Sequence, residues 1–138
     1  MKPIRRQLSV GSLMLSAVFF VLCSSAEAQQ PEKIHWIGYL TGSGSSPNQA
    51  FVQGLRDLGY VEGKNIGFVY RSAEGILERY ADLAAELARL KVDVIVTDNT
   101  GAVSAAKNAT TTIPIVMTSI TDPVGTGLVT SLARPGGK

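Results

Sequence analysis

The chain has 138 residues, 13 Lys and Arg against 11 Asp and Glu, a single Cys, and a mean hydropathy of +0.17. One small domain is the natural size, and one cysteine excludes a disulfide framework. The slight basic excess is not a nucleic-acid footprint, because it is concentrated at the N-terminus.

Lys2, Arg5 and Arg6 precede an apolar run from Leu8 to Cys23, and Ala26-Glu27-Ala28 follows. This pattern predicts a signal peptide over residues 1–28, cleaved after Ala28, and hence an exported protein. The alternative is a membrane anchor, but about 16 apolar residues fall short of the roughly 20 needed to span a bilayer. Lipidation of Cys23 is disfavoured by Leu22, since that position is normally small. Cleavage removes three of the 13 basic and one of the 11 acidic residues, which leaves a neutral chain without cysteine.

Residues 29–33 form a short polar leader. The lobe proper is expected over residues 34–138. Ile34 to Leu40 is apolar and nearly continuous, and predicts a first strand. Thr41 to Pro47 is a Gly/Ser loop. Asn48 to Leu58 predicts a helix on the spacing of Phe51, Leu55 and Leu58, ended by Gly59. Ile66 to Tyr70 predicts the second strand. Ile76 to Leu90 predicts the clearest helix, with Ile76, Tyr80, Leu83, Ala84, Leu87 and Leu90 on one face. Val92 to Thr97, Ala102 to Ala109 and Ile113 to Met117 predict a strand, a small-residue helix and a fourth strand. Gly127 to Leu132 predicts a last short helix, stopped by Arg134-Pro135-Gly136-Gly137. A stop of that kind normally leads into a further element. Continuous apolar strands alternating with helices imply an α/β class with a doubly wound parallel sheet.

In such a sheet ligands bind beyond the carboxyl ends of the strands. Three Ser/Thr/Gly/Asn-rich loops fall there, Thr41 to Pro47, Asp98 to Gly101 and Ser119 to Gly125, and each leads to a predicted helix N-terminus that favours an anion. Gly42-Ser43-Gly44-Ser45-Ser46-Pro47 reads either as a carboxylate-binding loop or as an exposed turn. Pro47 occupies the place of the third glycine of a dinucleotide fingerprint, and no Gly-Lys-Ser/Thr follows. No cofactor is expected. Thr97-Asp98-Asn99-Thr100 reads as a ligand contact through hydroxyls and amide, or else Asn99 or Thr100 only caps the next helix. Asp122 reads either as a partner for a ligand ammonium or as an Asx-turn before Pro123. His35, the sole histidine, lies inside a strand without partners at ligand spacing, so neither a metal site nor a Ser-His-Asp set is expected.

Several stretches carry a family resemblance. They are Ile37-Gly38-Tyr39-Leu40; Gly54-Leu55, Leu58-Gly59-Tyr60 and Asn65-Ile66; Arg79-Tyr80 with Leu83-Ala84 and Glu86-Leu87; Val92 to Val96; Ala105-Ala106-Lys107; Ile113-Pro114-Ile115-Val116; and the closing Asp122-Pro123-Val124-Gly125 segment. In these the chain resembles the periplasmic substrate-binding components of ABC transporters, the group related to tryptophan- and tyrosine-binding proteins. The resemblance implies a type I periplasmic binding fold, with two α/β lobes clamping a small solute between them and the sheet of the first lobe in the order 2-1-3-4. Members of that family are longer, so the chain is expected to supply the first lobe and to lack the second. One lobe offers only part of the contacts, so weak binding is expected. The implied function is capture of a small solute, such as an amino acid, for an inner-membrane ABC permease, without catalysis and without nucleic acid. Site positions carried over by resemblance are Ser43, Ser45, Ser46, Asn99, Thr100, Ser119 and Asp122. An exported sensor domain reporting to a membrane receptor is the alternative. The lack of a nucleophile–base set and of a nucleotide loop argues against a flavodoxin-like or hydrolytic enzyme.

Overall fold

The computed structural model describes residues 33–44 and 46–133. The predicted signal peptide, most of the leader, Ser45 and the Arg134 to Gly137 stop lie outside the described residues. Four strands, β1 (His35–Thr41), β2 (Ile66–Ser72), β3 (Val94–Thr97) and β4 (Ile115–Met117), alternate with α1 (Gln49–Asp57), α2 (Arg79–Arg89) and α3 (Thr100–Ala109). The sheet is wholly parallel and runs β2-β1-β3-β4, the predicted order. Parallel neighbours require crossovers, and helices supply them, which brings the carboxyl ends of all four strands to one edge.

The two faces are covered differently. On one, Leu40 and Ile95 of the sheet meet Ala84 and Leu87 of α2 and Ala102 and Ala106 of α3, and all six are fully buried. The close approach depends on Gly38, where a Cβ would sit 3.1 Å from both Leu87 and Val92. On the other face, Ile37, Tyr39, Ile66 and Val96 are buried beneath half-buried Phe51 and Leu55 of α1, with Phe68 and Tyr70 stacked at 5.3 Å.

Three sequence expectations change. Leu58 is exposed, because α1 ends before it in a Schellman motif: Gly59 at φ +88° donates to the Arg56 carbonyl, and Tyr60 donates to that of Leu55. The long helix is shorter than predicted, and Ile76 and Leu90 are exposed rather than on its core face. Its start is delayed by the Glu74-Gly75 turn, both residues at positive φ, where Gly75 N–H donates to the Gly42 carbonyl at 2.8 Å. That bond belongs to the loop after β1 and stops the helix from extending backward. Finally, no helix forms over Gly127 to Leu132. Gly127 turns at φ +70°, and the Leu128 and Val129 N–H groups both donate to the Pro123 carbonyl. Leu128 and Val129 are buried, but in a turn, and the Lys107 ammonium holds the Leu128 carbonyl at 2.6 Å. A six-residue segment gains too few helical bonds to outweigh the cost of nucleation.

Candidate functional site

Thr41 closes β1 and Thr97 closes β3, and both are buried. One residue further, the chains part and a cleft of about 510 Å³ opens. Gly42 and Ser43 line it from the loop after β1, Gly75 and Leu77 from the turn after β2, Tyr80 from the first turn of α2, and Asp98 and Asn99 from the loop after β3.

These loops are bound to one another. The Thr41 hydroxyl donates to Asp98 Oδ2 at 2.5 Å and lies 3.0 Å from the Ser43 carbonyl. Asn99 Nδ2 donates to Asp98 Oδ1 at 2.7 Å, while Asn99 Oδ1 accepts the Ala102 N–H at 2.9 Å and so caps α3. Asp98 is therefore the junction between the end of β1 and the start of α3. Behind it, the Thr118 N–H and hydroxyl both donate to the Thr97 carbonyl, which ties in the end of β4. Tyr39 is buried beneath this junction, and burial pushes its phenol up, reinforced by the Asp98 carboxylate.

Gly42 is required by close approach: a Cβ there would lie 2.8 Å from the Tyr80 hydroxyl and 3.2 Å from Asn99 Nδ2. Tyr80 also packs its ring against Gly101, where a Cβ would stand 3.2 Å from it. The floor of the cleft is thus backbone and aromatic ring, and its rim is amide, hydroxyl and carboxylate. Among the described residues no three His, Cys, Asp or Glu side chains gather as metal ligands.

Of the predicted positions, Ser43 and Asn99 are brought together at the cleft. Thr100 opens α3 but is exposed and outside the lining, as is Ser46. Ser119 is exposed after β4, and Asp122 binds its own loop: Oδ1 accepts the Gly125 N–H at 2.8 Å, and its carbonyl accepts from the Thr126 N–H and hydroxyl. Ser45 is outside the described residues. Gly42 and Asp98 line the cleft from two of the loops expected to bind, and Gly75, Leu77 and Tyr80 line it without having been singled out from the sequence as binding residues. Asp98 had a local signal, being the first residue past an apolar strand. Leu77 and Tyr80 read as ordinary helix positions.

Comparison with known proteins gives this geometry its family. The family model described as ABC transporter substrate binding protein matches residues 43–138. The chain belongs to that family. The Tyrosine-binding protein of Clostridioides difficile (strain R20291) is 40% identical over 89 residues, 64% of this chain and 26% of its own length. Among solved structures, a conserved domain protein of Vibrio cholerae O1 biovar El Tor superposes with a TM-score of 0.69 at 35% identity, over 74% of this chain and 36% of its own. A ligand-free, open substrate binding protein with adhesive properties from Clostridium difficile gives 0.65 at 32% identity, over 74% and 36%. The ABC domain of Streptococcus pneumoniae in complex with L-Trp gives 0.65 at 28%, over 76% and 37%. The chain thus spans about a quarter of the curated relative and a little over a third of each solved structure. Members of this family are binding proteins, extracytoplasmic in general, and the lobe described above is their α/β fold.

Proposed function

We propose that this chain captures an amino acid for an ABC importer, working in the periplasm after export by its N-terminal segment and delivering its solute to an inner-membrane permease. The observation that carries this reading is the cleft where Thr41, Asp98 and Asn99 join the ends of β1 and β3. It lies at the strand carboxyl ends, where α/β lobes take ligands. Its make-up suits a small molecule with polar and apolar ends: Ser43, Asp98 and Asn99 offer hydrogen-bonding groups, and Leu77 and Tyr80 offer an apolar wall. Two relatives, one named for tyrosine and one solved with L-Trp, support an aromatic amino acid.

Binding rests on hydrogen bonds and burial, and no reaction is required of the site. The cleft is open, so these residues supply only part of the enclosure that high affinity needs. The expected affinity of the 138-residue chain is accordingly weak, on the order of 1 mM. Isothermal calorimetry with L-tyrosine, L-tryptophan, glucose and inorganic phosphate tests the reading. Saturable heat with an amino acid alone supports it. Binding of glucose or phosphate with no amino-acid response would sink it.

A further inference from the structure

The charge inventory of the cleft says which end of the ligand this lobe reads. Among the residues lining it, Asp98 carries the one formal charge, and no Lys, Arg or His is present. Three cations of the neighbouring elements are committed elsewhere, and Arg89 stands at the far end of α2. Arg71 is held by both oxygens of Glu86 at 2.6 and 2.9 Å, Arg79 pairs with Glu74, and Lys107 donates to the Leu128 carbonyl. The feature that favours an anion here is the N-terminus of α3, and Asn99 already takes one of its N–H groups.

We propose that the cleft reads the cationic amine of its ligand through Asp98, and that the ligand's carboxylate is not what this lobe recognises. The inference rests on the amino-acid reading above and specifies which pole of that ligand meets these loops. An ionised carboxylate offers about four acceptor positions. Asp98 uses one on each oxygen, for Thr41 and Asn99, which leaves room for ammonium N–H donors. The same two bonds fix the orientation of the carboxylate before a ligand arrives, so little ordering cost falls on binding. Leu77 and Tyr80 then face the apolar remainder of the ligand. The sequence pattern had pointed the other way, since Gly/Ser loops at helix starts suggest a carboxylate site.

Three ligands separate the poles: L-tryptophan, tryptamine, which lacks the carboxylate, and N-acetyl-L-tryptophan, which lacks the ammonium charge. Affinities are read from amide chemical-shift titrations of the 138-residue chain. Tryptamine is expected to bind within about threefold of L-tryptophan, and the acetylated ligand at least about tenfold more weakly, the scale of one charged hydrogen bond. Asp98→Asn should bring the acetylated ligand to within about threefold of L-tryptophan. Thr41→Val removes a bond to Asp98 but keeps the charge, so it should weaken L-tryptophan and tryptamine together and preserve the discrimination. Equal binding of N-acetyl-L-tryptophan and L-tryptophan would overturn the proposal. So would loss of tryptamine binding, or a discrimination that survives Asp98→Asn. If the Asn variant does not fold, the ratios in the unsubstituted chain decide alone. L-tryptophan binding without dependence on its amine refutes only this inference. Silence from all three ligands refutes the tryptophan form of the amino-acid reading together with it.

Discussion

The loops after β1 and β3 and the loop after β4 share a composition but solve their hydrogen bonding in opposite ways. In the first pair, the polar groups meet across the sheet: Thr41 of one loop reaches Asp98 of the other, Asn99 braces the same carboxylate, and the turn after β2 joins through Gly75, which donates to Gly42. In the loop after β4, Asp122 turns back on Gly125 and Thr126, and Pro123 takes the N–H groups of Leu128 and Val129. Cross-bonded loops present a preorganised polar surface whose geometry is set by the sheet. A self-bonded loop holds its own shape and leaves its side chains occupied. The proposed function therefore places ligand recognition on the first pair, although the closing Asp122 segment is among the stretches that carry the family resemblance.

Breaking the junction should have the largest effect. Asp98→Ala leaves the Thr41 hydroxyl and the Asn99 amide without their shared acceptor in a half-buried site, and should cost about 1–3 kcal/mol in urea unfolding. Filling the cleft comes next. Gly42→Ala forces its Cβ toward the Tyr80 hydroxyl and the Asn99 amide, with an expected cost of about 1–2 kcal/mol and at least tenfold weaker binding of L-tryptophan. By contrast, Asp122→Ala removes an exposed turn bond and should cost less than about 1 kcal/mol. It should also leave amino-acid binding within a few-fold of the parent. A loss of binding as large as that of Asp98→Ala would erase the distinction between the loops.

A smaller effect is expected in acid, away from the cleft. The Glu86 carboxyl is held below the usual range by its bonds to Arg71, and that of Asp93 by the Trp36 N–H at 2.7 Å, with Lys33 and His35 adding. Both folded values are depressed, so their contribution is fully present above the unfolded carboxylate pKa of about 4 and is lost as pH falls through the folded values. Thermal unfolding followed between neutral pH and about pH 3 should therefore show a falling acid limb that Glu86→Gln makes shallower. An unchanged limb would show that the Arg71 pair contributes nothing to it.

The parallel sheet was legible because each strand is continuously apolar and each crossover carries a helix, while its strand order came with the family resemblance. The pairs Phe51/Leu55 and Tyr80/Ala84/Leu87 were legible for the same reason, since their period matches the face they bury. The delayed start of α2 was not. Ile76 and Leu77 continue the helical period, and what excludes them is the bond from Gly75 to Gly42, 33 positions earlier in the chain. The segment around Leu128 and Val129 reads as a packing helix, but a turn buries these two adjacent residues as well as a helix does. The role of Asp98 was hidden for a related reason, because its partner Thr41 is 57 positions away. At the site, local pattern identified Ser43 and Asn99, and only tertiary structure joined them to Asp98, Leu77 and Tyr80.

The central claim is that the loops after β1 and β3 form one ligand-holding surface from which the loop after β4 is apart. Mapping of backbone amide shifts during titration with L-tryptophan tests it most directly. The account predicts saturable shifts at Gly42, Ser43, Asp98, Asn99 and Gly101, moving with a single affinity, and none of that size from Asp122 to Thr126. Shifts concentrated at Asp122 to Thr126, with Asp98 and Asn99 unmoved, would contradict it.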